Sequence, residues 1–246
     1  MKLKSKLAGL LAAVCITVPA IASEHAHGDV ATAQAIIKEI QSNDSAYIAA
    51  HNASFFQELA KGQHPRATVV TCSDSRVHTN MLDSTPEGDL FMVRNIGNQF
   101  ATAKGSVQYG VNHLASSLLI FVGHSACGAI KASMGGYAGI EPDIKKELDT
   151  IQVPSKDPKD ANEVIAGVKI NVNNQVADAL KEFSDKVKSG ELLIVGAVYD
   201  FSNDMKLGAG KLNLINVNGD TADDKITAAL SAKTEVHTGH EAHAHH

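Results

Sequence analysis

The chain has 246 residues, with 22 Lys and Arg against 27 Asp and Glu, 12 His and a formal charge of −5. That acidic balance argues against a nucleic acid or an anionic membrane surface as partner. The chain contains no Trp and only 4% aromatics, so its core must rest on Val, Ile, Leu and Ala, and its length suits one large α/β domain.

Lys2, Lys4 and Lys6 precede an apolar stretch at residues 7–18, and Ala20-Ile21-Ala22 has the small-x-small form of a cleavage site. Residues 1–22 therefore read as an export signal; the stretch is short of the ~20 residues that cross a bilayer. Cleavage would remove three lysines, no acid and Cys15, leaving a formal charge of −8 and two cysteines. The mature protein is expected in the periplasm or outside the cell, with no membrane attachment. Residues 23–30 are polar and expected to be disordered.

Residues 32–61 place Ile36, Ile37, Ile40, Tyr47, Ile48, Phe55, Phe56 and Leu59 at helical spacing. Ser42-Asn43-Asp44 is expected to split them into two helices, with Asp44 or Ser45 capping the second. The short apolar runs 67–71, 90–93, 118–122 and 192–198 read as buried parallel strands. The run 212–217 alternates with Asn and Lys and suits an edge strand. Helical patterns fall between them, at 105–114 and most clearly at 164–187. This alternation predicts an α/β fold with a mainly parallel sheet flanked by helices, forming a single domain over residues 31–232. Residues 135–162, rich in Gly, Pro, Lys and Asp, read as a surface excursion or oligomer arm. Residues 233–246 form a His-rich tail that is expected to be disordered.

Both remaining cysteines follow strands. Cys72 opens Cys72-Ser73-Asp74-Ser75-Arg76, and Cys127 belongs to Gly123-His124-Ser125-Ala126-Cys127-Gly128. Functional groups of open α/β sheets collect at the carboxyl ends of strands, so Cys72, His124 and Cys127 could meet there. Two thiolates and an imidazole would hold zinc with a fourth position open to water. His-x-x-Cys would put two ligands one turn apart at a helix start, where the dipole favours thiolate. Three other readings stay open on the residues alone: a Cys72–Cys127 disulfide, a buried free cysteine and a structural zinc site with four protein ligands. Asp74 and Arg76, two residues apart beside a thiolate, favour a working site.

These two motifs together resemble the β-class carbonic anhydrases. The likeness extends through Glu58-Leu59-Ala60-Lys61-Gly62-Gln63, Arg94-Asn95-Ile96-Gly97-Asn98 and Gly105-Ser106-Val107-Gln108-Tyr109, and more weakly through Gly196-Ala197-Val198-Tyr199-Asp200. It implies reversible hydration of carbon dioxide to bicarbonate by hydroxide on one Zn2+ per chain. It implies Cys72, His124 and Cys127 as ligands, with Asp74 oriented by Arg76 as the catalytic dyad. Gln63 would hydrogen-bond substrate, Phe91 and Ile96 would form its apolar wall, and Gly128 would lie on the substrate side. In some members the aspartate becomes a fourth ligand at low pH. Gln63, with Val69 where the bicarbonate-inhibited subtype has Trp, points to the plant-like subtype. That subtype's tyrosine facing the glutamine has no match in Lys181-Glu182-Phe183. A homodimer or homotetramer is implied, with active sites near the subunit interface.

Thiolate ligands make zinc a weaker Lewis acid than three imidazoles would, so an alkaline activity profile is expected. Carbonyl sulfide or carbon disulfide hydrolysis on the same site is the enzymatic alternative. A non-enzymatic periplasmic zinc-binding protein, suggested by His237–His246, is the other. His25 would be third from a processed N-terminus, a copper- or nickel-chelating arrangement. His78 and His113 are expected to be structural.

Overall fold

The computed structural model describes residues 30–231. The expected export signal, His25, the polar segment up to residue 29 and the His-rich tail lie outside the described residues. The chain divides into two compact units, Met1–Phe56 and Gln57–His246.

In the first unit, helix α1 runs unbroken over Val30–Ala50. The expected break at Ser42-Asn43-Asp44 is absent, because residues of this kind cost a helix interior only tenths of a kcal/mol each and Ser45 Oγ donates back to the Gln41 carbonyl at 2.9 Å. The break comes at His51-Asn52. The His51 ring Nδ1 donates to the Tyr47 carbonyl at 2.8 Å, and Asn52 Oδ1 accepts from the Phe55 amide at 3.0 Å. Asn52 thus caps α2, Ala53–Leu59. Tyr47, His51, Phe55 and Phe56 form an aromatic cluster around this corner. Ile36, Ile37, Ile40 and Ile48 are exposed along α1.

The second unit is built on a five-stranded sheet in the order β2-β1-β3-β4-β5. The strands are β1 Ala67–Cys72, β2 Leu90–Asn95, β3 Leu118–His124, β4 Leu193–Asp200 and β5 Lys211–Val217. The first four are parallel and β5 is an antiparallel edge, as its polar alternation predicts. β1 and β3 are buried almost throughout, which is why their sequences carry no polar alternation.

Helix α6, Ala161–Glu182, covers one face of the sheet. Val164, Val168 and Val172 pack around Cys72 and Cys127, while Val176 and Ala179 pack on Val70, Leu119 and Phe121. Gly123 and Gly196 let α6 approach the strands; a Cβ on either would lie 2.7 Å from Val172. The expected single helix over 164–187 ends at Glu182, because Phe183 turns into the core, and α7, Ser184–Lys188, follows. Ile226 of α8, Asp223–Ser231, packs on the opposite face of the sheet with Val69, Ile120 and Val122.

Residues 104–113 form α3, Lys104–Gln108, which widens into a π-turn at Tyr109–His113. The segment after α4, Gly128–Gly135, is not simply a surface excursion. It contains α5, Pro142–Leu148, and buries Leu148 and Ile151 in the cluster that holds both cysteines.

Candidate metal centre

The parallel pairing of β1 and β3 sets their carboxyl ends side by side, with Thr71 opposite Val122. Cys72 is the last residue of β1 and His124 the last of β3. Cys127 is the N-cap of α4. His124 and Cys127 therefore do not share one helical turn: the chain reverses between them through Ala126, whose φ of 56 lies in the left-handed region. The candidate ligand atoms of Cys72, His124 and Cys127 all lie within 4.8 Å of one another, and all three residues are buried. Both cysteines are free, so the pair is no disulfide.

The donor set fits a zinc ion. His124 Nδ1 lies 2.9 Å from the Ser125 carbonyl, which can only accept, so this nitrogen carries the proton. Nε2 is left with a bare lone pair, fully buried and without a hydrogen-bond partner. An orphaned buried acceptor is rare, and a ring fixed through its other nitrogen is the usual arrangement of a metal-binding imidazole. The two sulfurs share one proton. The hydrogen bond from Cys127, with the Gly97 amide, lowers Cys72 to about 4 against the effect of burial. The same hydrogen bond and burial push Cys127 up, and the amides of Ile130 and Ala129 at the helix start do not reverse this. A thiolate, a second buried sulfur and an imidazole lone pair are donors that suit zinc.

Arg76 grips Asp74 in a fork. Its Nε donates to Oδ1 at 2.9 Å and its Nη2 to Oδ2 at 2.7 Å, while its backbone amide donates to Oδ1 at 3.0 Å. These bonds hold the Asp74 carboxyl well below the usual carboxylate range, and Arg76 is raised in turn. Asp74 Oδ2 is 3.9 Å from His124 Nε2, so the dyad borders the ligand cluster.

A polar scaffold fixes these strand ends. Arg94 of β2 donates from Nε to the Cys72 carbonyl at 3.1 Å and from Nη2 to the Asp74 carbonyl at 2.8 Å. Gly97 has φ 79, and a Cβ there would come within 2.9 Å of Gln99 and Ile151. Asn171 of α6 donates to the Gly97 carbonyl at 3.0 Å, and Gln175 binds Gln99 and the Phe100 amide. Buried side chains of α6 thus aim the Gly97 amide at Cys72. Arg94 lay within a motif that resembles the family, but nothing in its spacing assigned it this clamp.

A carbonic anhydrase family model matches residues 67–207, more than half of the chain, and spans all three candidate ligands. The chain belongs to this carbonic anhydrase family. A carbonic anhydrase of Synechococcus elongatus is 37% identical over 103 residues, covering 39% of this chain and 38% of that protein. One from Synechocystis is likewise 37% identical over 105 residues, 40% of this chain and 38% of that protein. The chain therefore matches well under half of the length of these two relatives. Carbonic anhydrase 2 of Mycobacterium tuberculosis is 28% identical over 158 residues, 59% of this chain and 74% of that protein. Among solved structures, the β-carbonic anhydrase CcaA superposes with a TM-score of 0.60 at 23% identity, covering 71% of this chain and 86% of that one. A β-carbonic anhydrase of the ascomycete Sordaria macrospora gives 0.60 at 23% identity, over 74% and 98%. The likeness in structure is one of fold, and it is the β-class fold.

The remaining candidate residues of this chain fall in two groups. Ile96 packs against the cluster that contains Cys72 and Cys127, its amide donating to Glu147 Oε2 at 3.1 Å. Gly128 is exposed beside Cys127, with open space where a Cβ would stand. Phe91 does not join them. It pairs with Thr68, four residues before the level of Cys72, and packs into the other end of the core. At ~3.3 Å per residue that is roughly 13 Å along the strand. Gln63 is exposed on the segment before β1. The tyrosine sought near residue 183 is not there because Phe183 is a core residue 6.1 Å from Phe100. The tyrosine beside Phe91 is Tyr109, at 5.8 Å, half-exposed and stacked on His113. Its place at the end of a quoted motif was the available signal. His78 and His113 are both exposed, away from the buried ligand cluster.

Proposed function

We propose that this protein reversibly hydrates carbon dioxide to bicarbonate and a proton, with one Zn2+ per chain held by Cys72, His124 and Cys127. The observation that carries this reading is the buried, unpartnered His124 Nε2 facing two sulfurs and flanked by an arginine-clamped carboxylate. The chemistry such a site supplies when loaded is a water that ionises near pH ~7 rather than ~15.7.

Asp74 stays ionised across the working range, so it acts as a fixed acceptor. It accepts a hydrogen bond from the attacking oxygen without being protonated, which leaves that oxygen's lone pair facing the substrate carbon. Arg76 keeps the carboxylate in plane and turned toward the cluster. Carbon dioxide has no charge and weak polarity, and Ile96 with the open space at Gly128 gives it an apolar approach. Bicarbonate leaves past Arg76, and the proton passes to buffer.

Phe91, Tyr109 and Gln63 belong to the substrate side in this reading only if a second copy brings them to the cluster. Their distance from Cys72 within the chain and the exposure of Tyr109 support a homodimer, or a homotetramer built from it. The Sordaria macrospora structures are described as tetrameric. Gln63 and Val69 support the plant-like subtype. The basic and apolar pattern of residues 1–22 supports export to the periplasm or beyond, leaving one domain over residues 31–232.

Stopped-flow hydration of carbon dioxide against pH, with zinc counted per chain, tests the reading. Hydration rising toward alkaline pH with one zinc per chain is the expected result. Turnover of carbonyl sulfide or carbon disulfide without carbon dioxide would assign the site to hydrolysis. Several exchangeable zincs and no turnover would make the protein a zinc binder.

A further inference from the structure

Phe201 is the first residue after β4, in the turn that leads to β5. The Arg76 guanidinium carbon lies 4.6 Å from its ring centroid. The His124 imidazole is stacked against the same ring at 5.9 Å, with 25° between the planes. One aromatic side chain therefore touches both the clamp on Asp74 and the imidazole of the ligand cluster. No spacing in the sequence singles it out, and the mechanism above does not use it.

The turn that carries Phe201 is held from below. Asp200 is fully buried and accepts from the amides of Asp204 at 3.0 Å and Met205 at 2.7 Å. The Ser202 amide donates to Ser125 Oγ at 3.2 Å, and the Ser125 amide to the Tyr199 carbonyl at 3.0 Å. Tyr199 meets Phe201 edge-on at 5.8 Å. The Arg76 side chain is less enclosed: it is 51% exposed, and among the described residues its salt-bridge partner is Asp74. A half-exposed ion pair is mobile and weak by itself, whereas a guanidinium laid on an aromatic face is attracted to the ring and restrained by it.

We propose that Phe201 is a positioning residue of this site: its ring face fixes the Arg76 guanidinium, and through it the orientation of Asp74 beside the ligand cluster. The proposal rests on the hydration reading for its effect on turnover, and on geometry alone for its effect on Arg76. A leucine would keep the bulk and lose the π face; a tyrosine would keep both.

The test uses the full-length, zinc-loaded protein as wild type, Phe201→Leu, Phe201→Met and Phe201→Tyr. Three quantities are read: zinc per chain, the resonance and solvent exchange of the Arg76 Nε–H, and kcat and KM for hydration. In Leu and Met variants with zinc content unchanged, the Arg76 Nε–H should lose its ring-current shift and exchange about 2- to 5-fold faster, the factor expected of one exposed cation–π contact. kcat should fall by a similar factor with KM unchanged, and Tyr should restore each value. Unaltered Arg76 exchange in both the Leu and Met variants, or failure of Tyr to restore it, overturns the proposal. If wild type hydrates no carbon dioxide, the hydration reading fails, and the Arg76 signal alone decides the role of Phe201 by the same outcomes.

Discussion

Replacing Asp74 by Asn keeps the shape of the side chain and removes its charge and half of its acceptor capacity. The carboxylate takes three hydrogen bonds from Arg76 on two oxygens. An Asn can accept on one oxygen only, and its NH2 would then face an Arg76 donor. The fork reduces to a single contact, and the fixed acceptor beside the ligand cluster is lost. A preorganised hydrogen-bonding group at the reacting atom is worth about 10²–10³ in rate, so kcat/KM should fall by that factor, ~3–4 kcal/mol of transition-state stabilisation. Stability should barely change, because the pair is half-exposed through Arg76 and contributes no more than about 1 kcal/mol. The pH dependence has a definite sign. Asp74 is depressed by Arg76, so its contribution is complete above the unfolded value of ~3.9 and is lost as pH falls through the lower folded value. Wild type and variant should therefore unfold with a constant offset from pH 5 to 9 and converge only in stronger acid. Stopped-flow hydration, zinc analysis and urea unfolding across that range measure all three. A variant with one zinc per chain and kcat/KM within threefold of wild type would refute Asp74 as the acceptor.

Cys72→Ser should lose zinc to under a tenth per chain and lose hydration with it, measured by metal analysis after dialysis, because thiolate binding energy holds the ion. Loading the metal-free wild type at pH 7 should release about one proton, since burial and Cys72 keep the Cys127 thiol protonated; calorimetry in buffers of different ionisation enthalpy counts it. Arg94→Gln should weaken zinc affinity by about 10- to 100-fold while the fold persists, because the strand-end carbonyls of Cys72 and Asp74 lose their clamp; competition with a chromophoric chelator reads the change. Gly196→Ala puts a methyl 2.7 Å from Val172 and 3.1 Å from Asn216; overpacking of this kind should destabilise by about 1–3 kcal/mol and lower Tm by roughly 2–12 °C, with zinc content unchanged.

The sheet was legible because its interior strands are buried on both faces and leave uninterrupted apolar runs, and because β5 is an edge and alternates. The candidate ligand set was legible for a related reason: a strand end is marked where the apolar run stops, and Cys72 and His124 each stand two residues after its last aliphatic residue, Val70 and Val122. What could not be read is what depends on contacts between segments far apart in the chain. Ser42-Asn43-Asp44 carries the residues of a break, but helix breaking is a competition, and Asn52 had the better cap. Residues 135–162 have a loop's composition, yet Leu148 and Ile151 supply apolar cover for the cysteines.

Distance along a strand explains why Phe91 lies apart from Cys72 within one chain. A motif records order and residue type, and a strand turns four residues of order into about 13 Å of separation. Phe91 is the second residue of β2 and Asn95 the last, so the segment that brings Asn95 level with Cys72 necessarily carries Phe91 toward the opposite end of the sheet. Tyr109 and Phe91 meet there because Gly110 lets the π-turn close onto Thr68 and Phe91. One chain therefore holds the candidate ligand cluster at one end of its strands and, at the other, a half-exposed Tyr109 against a partly buried Phe91. In the proposed reading the two serve one substrate when a second copy is set against the first, which would put Tyr109 at the subunit contact.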